Sequence, residues 1–372
     1  MSAVTAPLPP GPPARPGERA DVQDIGRFDE RIDVRSPAEF AEDHIPGAIN
    51  LPVLDDEERA RVGTLYVQGS AFEARRLGAA IVARNVARIV ETYARDKPPE
   101  WRPLLYCWRG GQRSRAASLI FAEIGWRAVQ LAGGYRAWRR HVVTALAQPV
   151  DGLDLRVVCG VTGSGKSRLL AALAAEGAQV IDLEGLARHR GSLLGDLPGD
   201  PQPSQKWFES QLYATLAALD RARPVYVESE SKRIGTLQVP DPLLAAMRDA
   251  PCVRLETPLP LRVALLRQDY VHFLDDPVAL AERLEHLVPL HGRATITRWT
   301  DAAAARDHDL FVRELLERHY DPLYLRSIER NFPRHREGIV APVAALDDDA
   351  FRALARRVIA AETAASATLA GA

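Results

Sequence analysis

Residues 153–168 contain the pattern that most restricts how this chain can fold. The apolar run Leu153-Asp-Leu-Arg-Val-Val-Cys159 is followed by Gly160-Val-Thr-Gly-Ser-Gly-Lys166-Ser167 and then by a predicted helix from Arg168. A strand, a complete G-x4-G-K-S loop and a helix in this order are typical of a phosphate-binding loop on a parallel sheet. In such a loop, backbone amides surround the phosphates, the lysine spreads their charge, and the serine is placed to hold Mg²⁺. The predicted phosphate-binding residues are Gly160, Gly163, Ser164, Gly165, Lys166 and Ser167.

Two further apolar runs in this half of the chain end in acidic residues. The run 178–181 leads to Asp182, and the run 224–227 leads to Glu228 and Glu230. Ligands of α/β sheets bind at the carboxyl ends of strands, so these carboxylates are predicted to orient Mg²⁺ or a water molecule. Nearby cations are candidate phosphate contacts: Arg188, Arg190, Lys232 and Arg233. The alternative for each of these charged residues is a solvated loop.

The stretch Leu104-Leu-Tyr-Cys-Trp-Arg-Gly-Gly-Gln-Arg-Ser114 is a second candidate site. We predict a buried strand that delivers Cys107 to a turn, with Ser114 capping a helix that ends near Gly125. The amides at the helix start, together with Arg109 and Arg113, would favour the nucleophilic thiolate, so these three residues are predicted to be catalytic. The alternative is a buried cysteine that packs as a small apolar side chain.

Strands alternate with helices along most of the chain, which predicts an α/β fold with parallel sheets. A strand at 30–35 leads into Ser36-Pro-Ala-Glu39, a capping box, and further strands are predicted at 103–107 and 127–131. We expect four segments: a disordered Pro-rich tail at 1–20, a first domain at 21–147, a phosphate-loop domain at 150–345 that is mainly helical from about 258, and a C-terminal helix and tail at 346–372.

Composition restricts the class of protein. The 372 residues, 47% hydrophobic and 26% charged, suit a globular chain of about two domains. The three cysteines show no zinc-ligand spacing and are expected to be reduced thiols in a cytoplasmic protein, with Cys159 inert on its buried strand. No apolar run predicts a membrane span. With a formal net charge of −1 the chain does not suggest DNA binding, and any RNA contact would need a local basic patch.

The first domain resembles the rhodanese family. The resemblance lies in Asp33-Val-Arg35, His44-Ile-Pro-Gly-Ala-Ile-Asn50, the Cys107 stretch and Gly133-Gly-Tyr-Arg-Ala-Trp138. It implies that the cysteine carries a persulfide or its selenium counterpart. We expect Asp33 and Arg35 to form a structural ion pair, His44 to be structural and Trp138 to lie in the core. Five residues separate Cys107 from Arg113, which is the spacing of cysteine phosphatases, so a phosphatase is an alternative.

The whole of residues 25–345 closely resembles the tRNA 2-selenouridine synthase family, which fuses a rhodanese domain to a phosphate-loop domain. Besides the Cys107 stretch, the similar segments are Val62-Gly-Thr-Leu-Tyr66, Asp182 to Ser192, Gln202-Pro-Ser-Gln205 and Glu228 to Gly235. Residues 193 and 194 are Leu where the family suggests Ala-Phe, and Lys232 replaces a common Arg.

The resemblance implies two reactions at the wobble 2-thiouridine of tRNA. Geranyl diphosphate alkylates the sulfur, and selenium from selenophosphate, supplied by its synthetase, then replaces the geranylthio group. The phosphate loop would hold the diphosphate, with Mg²⁺ as a candidate cofactor and no covalently bound one. Cys107 would accept selenium as a perselenide while Arg113 binds the phosphate, and Arg188, Arg190, Lys232 and Arg233 would contact the tRNA.

Two other functions stay open from the residues alone. A phosphate-loop kinase or ATPase fused to a sulfurtransferase would hydrolyse nucleotides without a prenyl donor. A non-catalytic RNA-binding adaptor would need neither Cys107 nor Lys166. The presence of both a candidate reactive thiol and a complete phosphate loop argues against the adaptor.

Overall fold

A computed structural model describes residues 17–191, 195–197, 199–269, 271–274 and 276–370. The chain divides into two compact units. The first contains residues up to 145 together with 204–214, and the second contains 146–203 and the residues from 215 onward. Residues 193 and 194, where the sequence departs from the family pattern, lie outside the described residues.

The first unit is a parallel sheet with helices between its strands. Its elements are β1 (Arg19–Ala20), a 3₁₀ helix (Val22–Arg27), β2 (Glu30–Asp33), α1 (Pro37–Glu42), β3 (Ala48–Asn50), α2 (Asp56–Gln68), α3 (Ala71–Thr92), β4 (Pro103–Tyr106), α4 (Gln112–Ile124), β5 (Val129–Leu131) and α5 (Gly134–Leu146). The strand order is β1-β5-β4-β2-β3, and every pairing is parallel. The α/β class predicted for this half is confirmed.

Local sequence accounts for most element ends in this unit. The Ser36 and Glu39 side chains form the predicted capping box of α1, and Gly125 ends α4 in the left-handed conformation at φ 112°. Two expectations were wrong. Ser114 does not cap α4, because the helix begins at Gln112 after Gly111 and Ser114 lies inside the first turn. Arg19–Ala20 form a strand that pairs with β5, so the disorder predicted for residues 1–20 is wrong at these two positions; residues 1–16 lie outside the described residues.

The core of the first unit lies between the sheet and helices α3 and α4. Ile32, Leu105, Val86 and Phe121 belong to one buried apolar cluster with Trp126. The same unit includes residues 204–214, which are remote in sequence. The contact is specific, since the indole of Trp138 donates to the hydroxyl of Ser210 at 3.3 Å.

The second unit contains a second parallel sheet and a helical region. Its elements are β6 (Leu155–Cys159), α6 (Lys166–Ala175), β7 (Gln179–Ile181), α7 (Leu183–Ala187), α8 (Gln205–Ala218), which it shares with the first unit, β8 (Val225–Glu228), β9 (Arg233–Ile234), β10 (Leu237–Gln238), α9 (Asp241–Asp249), β11 (Cys252–Glu256), α10 (Leu259–Asp269), α11 (Val271–Leu274), α12 (Pro277–Glu285), α13 (Val288–His291), α14 (Arg293–Ala304), α15 (His308–Leu315), a π-helical turn (Leu316–Tyr320), α16 (Asp321–Asn331), β12 (Ile339–Pro342) and α17 (Asp348–Ala370).

The sheet of the second unit has the order β12-β11-β6-β8-β7, and all its pairings are parallel. The order places the carboxyl ends of β6, β7 and β8 side by side, so the phosphate loop and both acidic strand ends meet at one edge. Strands β9 and β10 form a separate antiparallel pair.

Several elements of the second unit differ from the sequence expectation. Strands β11 and β12 had not been predicted; β12 is an edge strand that ends in Pro342. In the helical part, a π-helical turn at Leu316–Tyr320 continues directly into α16. The C-terminal segment is helical as far as Ala370, and Phe351, Leu354 and Val358 of α17 pack in the core with Leu169 of α6. No helix in the described part of the chain is long and apolar enough to cross a membrane.

Candidate active sites

The thiol of Cys107 lies at the carboxyl end of β4 and receives two hydrogen bonds. The amide of Gly111 donates to Sγ at 3.3 Å, and the hydroxyl of Ser114 donates at 3.1 Å. Only 3% of Cys107 is exposed. Donors directed at sulfur stabilise a developing negative charge, so the surroundings suit a nucleophile better than an inert thiol.

A third residue orients the hydroxyl of Ser114. Gln130, on the neighbouring strand β5, donates through Nε2 to Ser114 Oγ at 2.8 Å and to the carbonyl of Gly111 at 3.0 Å. With its oxygen engaged as acceptor, the serine hydroxyl is free to direct its proton at Sγ. The sequence had suggested neither role, because Gln130 lies in a short apolar strand and Ser114 was interpreted as a helix cap.

A glycine turn at the start of α5 packs against the backbone of the Cys107 loop. The amides of Tyr135 and Arg136 donate to the carbonyls of Cys107 and Trp108, at 2.9 and 3.0 Å. At Gly134, where φ is +57°, a Cβ atom would lie 2.2 Å from the Cys107 carbonyl oxygen. Only glycine allows this approach, so the Gly133-Gly134 pair helps to set the loop conformation.

The two predicted catalytic arginines lie in different environments. Arg113, in the first turn of α4, donates to Glu39 at 2.8 Å, while Arg109 is exposed in the loop. Burial opposes ionisation of Glu39, but the hydrogen bond and charge of Arg113 hold the pKa of this carboxyl below its usual value. An anion bound at the loop would therefore compete with Glu39 for the Arg113 guanidinium.

The residues expected to be structural in the first unit are structural. Arg35 and Asp33 form a fully buried ion pair at 2.6 Å. His44 is stacked between Phe40 and Trp207, with ring centroids 3.7 and 4.0 Å away. Burial lowers the pKa of His44, so the ring is favoured in its neutral form. Trp138 is buried in the core, as predicted.

In the second unit, residues 160–167 form a loop between β6 and α6. Lys166 Nζ donates to the carbonyl of Gly160 at 3.1 Å, across the mouth of the loop. Gly163 and Gly165 have φ values of +75° and +90°, and a Cβ at these positions would clash with Leu266 and Phe351. This geometry turns the loop around the start of α6, where free helix amides attract phosphate.

Four residues outside the motif hold this loop, and the sequence had not singled them out for this role. Thr257 donates to the carbonyl of Ser164 at 2.8 Å. Arg262 donates through Nε to the carbonyl of Thr162 at 2.9 Å and forms a two-bond pair with Asp321. The amide of Gly160 donates to the phenol oxygen of Tyr324. Since all four supports lie at least 90 residues further along the chain, no local pattern indicates them.

Three glutamates lie together beside Ser167. The Ser167 hydroxyl donates to Glu184 at 2.7 Å, and the amide of Glu184 donates to the buried Glu228 at 2.7 Å. The second carboxyl oxygen of Glu228 has no partner among the described residues. Burial and nearby carboxylates raise the pKa of Glu228, and burial next to Glu184 raises the pKa of Glu230 to about 8. Glu184 lies two residues after the predicted site residue Asp182, at the same acidic strand end.

A cleft of about 540 Å³ opens on this edge of the sheet. Of the predicted site residues, its lining includes Gly163 to Ser167, Asp182, Arg190 and Glu230. The polar lining is joined by an apolar wall: Ala171, Leu197, Leu265, Leu266, Ile328 and Phe332. The cleft therefore offers cationic, acidic and apolar surfaces to a single ligand.

Most of the basic residues predicted to contact phosphate or tRNA form ion pairs with acidic side chains. Arg188 pairs with Asp200 at 3.0 Å, Arg190 with Asp269 at 3.2 Å, and Lys232 with Asp241 at 2.8 Å. Asp182 caps α7 by accepting from the amide of Gly185, and Arg233 is exposed. Of this basic set, only Arg190 lines the cleft.

Cys159 is buried before the loop, as expected, with its sulfur 2.7 Å from that of Cys252. Burial raises the pKa of the Cys159 thiol, which favours the unreactive protonated form. Among the described residues, no group of three or more His, Cys, Asp or Glu side chains is arranged to hold a metal ion by itself.

Known protein families match the two halves of the chain separately. The family model of the rhodanese-like domain matches residues 20–141, and that of the tRNA 2-selenouridine synthase AAA domain matches residues 153–288. The chain is similar to three proteins named tRNA 2-selenouridine synthase. The relative from Nitrosomonas europaea is 31% identical over 80% of this chain and 89% of its own length. Those from Bdellovibrio bacteriovorus and Sulfurovum sp. are 32% and 35% identical, over 80% and 82% of this chain and 89% and 90% of theirs.

Proposed function

Because this chain belongs to the tRNA 2-selenouridine synthase family, we propose that it replaces the sulfur of 2-thiouridine in tRNA by selenium. The observation that carries the proposal is the pairing, on one chain, of a hydrogen-bonded thiol at Cys107 with a complete phosphate loop at Lys166. The two sites suit two different reactions. The Cys107 site suits a reaction of a thiol, and the phosphate loop suits the binding of a diphosphate.

The first reaction of the proposal is alkylation of the tRNA sulfur by geranyl diphosphate. The sulfur attacks C1 of the geranyl group, a C–S bond forms, the C–O bond to diphosphate breaks, and the base loses its N3 proton. Negative charge then accumulates on the diphosphate, where Lys166 and the amides at the start of α6 stabilise it. The apolar wall of the cleft, including Leu266 and Phe332, is the support for a prenyl donor.

The second reaction exchanges the geranylthio group for selenium. The selenium of selenophosphate attacks C2 of the base, so that a C–Se bond forms, the C–S bond breaks and geranyl thiolate leaves; water then cleaves the P–Se bond and phosphate is released. We assign the transfer of selenium from selenophosphate to the site of Cys107, whose sulfur accepts hydrogen bonds from Gly111 and Ser114. The exposed Arg109, and Arg113 once the anion displaces Glu39, are the cations assigned to the phosphate of the donor.

Mg²⁺ fits the residues beside the phosphate loop. Ser167, Glu184 and Glu228 would supply oxygen ligands alongside the bound phosphates, and the buried oxygen of Glu228 that has no partner among the described residues is a group that a cation would satisfy. Burial, together with the nearby carboxylates of Asp182 and Glu184, raises the pKa of Glu228, and a divalent ion would offset the charge of its carboxylate. When bound, Mg²⁺ would neutralise charge on the diphosphate.

Nucleoside mass spectrometry on 2-thiouridine tRNA tests the proposal. Geranyl diphosphate is added first and selenophosphate second, with wild type, Cys107→Ser and Lys166→Ala. We expect wild type to give 2-selenouridine, Cys107→Ser to stop at the geranylated nucleoside, and Lys166→Ala to leave 2-thiouridine. Lys206→Ala removes a lysine of the first unit that pairs with Glu42 of the same unit, and it is the control for the loss of one positive charge.

The alternatives predict different results in the same experiment. A kinase or ATPase would hydrolyse ATP while the wild-type protein left the nucleoside unchanged, and that result would replace the proposal. An adaptor would bind tRNA with no change of nucleoside in any variant. Release of phosphate from a phosphorylated substrate, abolished in Cys107→Ser, would favour the cysteine phosphatase.

A further inference from the structure

We propose that Arg109, Arg115, Arg136 and Arg140, here called the basic rim, bind the phosphate backbone of the RNA substrate next to Cys107. All four residues are exposed. The inference rests on the proposed function, because it takes tRNA as the substrate. It assigns the RNA contact to the first unit, whereas the sequence had suggested a basic set in the second.

The fold places Arg109, Arg115 and Arg136 on segments that belong to the Cys107 loop or contact it. Strands β4 and β5 are neighbours and parallel, so the segments that follow them start at the same edge of the sheet. Arg109 lies in the loop after β4, and Arg115 lies in the first turn of α4, where its amide donates to the carbonyl of Gly111. Arg136 lies in the first turn of α5, and its amide donates to the carbonyl of Trp108, the residue after Cys107.

Arg136 and Arg140 share one exposed face of α5. They are four residues apart, about 6 Å along the helix axis, while Tyr135, Trp138 and Val142 form the buried face. Two guanidinium groups at this spacing form a short cationic stripe that leads away from the Cys107 loop. A stripe of this kind suits a charged chain better than a single small anion.

The basic rim differs in its ion pairs from the basic residues that the sequence suggested for RNA. Within the part of the chain that the structure describes, no guanidinium group of the rim makes an ion pair. By contrast, Arg188, Arg190 and Lys232 are each paired with an aspartate at 2.8–3.2 Å. An unpaired, exposed guanidinium can bind phosphate without first giving up an acidic partner, and it contributes fully to counterion release.

An aromatic side chain lies within the rim. The ring of Trp108 is stacked on that of Tyr135 with centroids 5.2 Å apart, and it is only partly buried between Cys107 and Arg109. Unpaired RNA bases stack on aromatic and arginine side chains, while helical RNA is held through its backbone. The rim and Trp108 together match an RNA segment with unpaired bases near the thiol, rather than an acidic protein surface.

Binding of fluorescent 2-thiouridine tRNA at several salt concentrations tests the basic rim. We compare wild type with Arg136→Ala/Arg140→Ala. The control is Arg76→Ala/Arg84→Ala, which also removes two exposed arginines from the first unit, though both are paired with glutamates on α2 or α3. Each lost phosphate contact should reduce the slope of log K against log salt by about 0.7–0.9.

We expect the rim variant to bind tRNA at least tenfold more weakly than wild type at about 0.1 M salt. The slope of its log K against log salt should be smaller in magnitude by about one to two. The control should match wild type in both quantities. Arg136→Lys/Arg140→Lys should restore most of the slope, because an ammonium also contacts phosphate. Equal slopes for the rim variant and wild type would overturn this inference while the modification assay still supported the proposed function. Wild type that neither bound nor modified tRNA would overturn both.

Discussion

The amide of Gly160 donates a 2.8 Å hydrogen bond to the phenol oxygen of Tyr324, which lies 164 residues further along the chain. The same oxygen is 3.0 Å from the hydroxyl of Ser229, just after β8. One side chain of α16 thus connects the ends of two neighbouring strands, and Lys166 Nζ lies 5.5 Å from its ring. The helical region therefore takes part in shaping the phosphate loop.

Replacing Tyr324 by Phe should destabilise the loop. The buried amide of Gly160 would lose its acceptor, and we expect the free energy of unfolding to fall by about 1–2 kcal/mol. Diphosphate should also bind more weakly. Denaturant unfolding and titration with inorganic diphosphate measure the two effects, with the 60% exposed Tyr66→Phe as the control. Unchanged stability together with unchanged diphosphate affinity would show that the hydrogen bond does not support the loop.

Ser114→Ala should reduce the reactivity of Cys107. It removes the hydroxyl that donates to Sγ at 3.1 Å, and a hydrogen bond to a charged group contributes about 1.5 kcal/mol, or roughly tenfold in rate. Alkylation by iodoacetamide at fixed pH, followed by mass spectrometry of the Cys107 peptide, gives the rate. Ser118→Ala is a matched control, since this buried serine lies one turn later in α4 and donates only to the carbonyl of Arg115. Equal rates in both variants would contradict the assignment.

Gly134→Ala should disrupt the Cys107 loop. The added Cβ would lie 2.2 Å from a backbone oxygen at a positive φ, so we expect a loss of about 3 kcal/mol or more in stability and loss of selenium incorporation. Thermal unfolding and the nucleoside assay report on these effects. Gly26→Ala, where a Cβ meets nothing within 4 Å, should behave like wild type. A Gly134→Ala protein with full stability and activity would show that the close approach is not needed.

The stability of the protein should depend on the ionisation of Glu230. Burial, with the nearby carboxylate of Glu184, raises the pKa of Glu230 to about 8 from an ordinary value of 4.5. Between these values the folded protein holds a proton that the unfolded chain has released. The contribution of Glu230 to the free energy of unfolding is therefore complete below the lower value and is lost as the pH rises toward the upper one.

Thermal unfolding between pH 5 and 8.5 tests this dependence. We expect the midpoint of wild type to fall more steeply with pH than that of Glu230→Gln, which carries no titratable group at this position. Mg²⁺ should reduce the difference if it binds beside the cluster, because a cation favours the carboxylate. Parallel curves for the two proteins would contradict the shift.

The elements and motifs that depend on neighbouring residues could be predicted from the sequence. The capping box at Ser36, the C-cap at Gly125 and the G-x4-G-K-S loop each need only a few consecutive residues, and each lies where expected. By contrast, Ser114 was misplaced because a serine that begins a helix and a serine that donates to a thiol have the same local sequence. What distinguished them was Gln130, which β5 brings beside Ser114.

By itself, the sequence determined the α/β class, the succession of a rhodanese-like half and a phosphate-loop half, and the choice of Cys107 and Lys166 as candidate site residues, since periodicity and glycine spacing act over short distances. Only the tertiary structure decided which groups surround them. Tyr324 and Arg262 reach the phosphate loop from remote segments, and aspartates pair with three of the four basic residues that the sequence had favoured for RNA. The physical reason is that hydrogen bonding and charge neutralisation act between atoms close in space, and sheet order and helix packing decide which atoms those are.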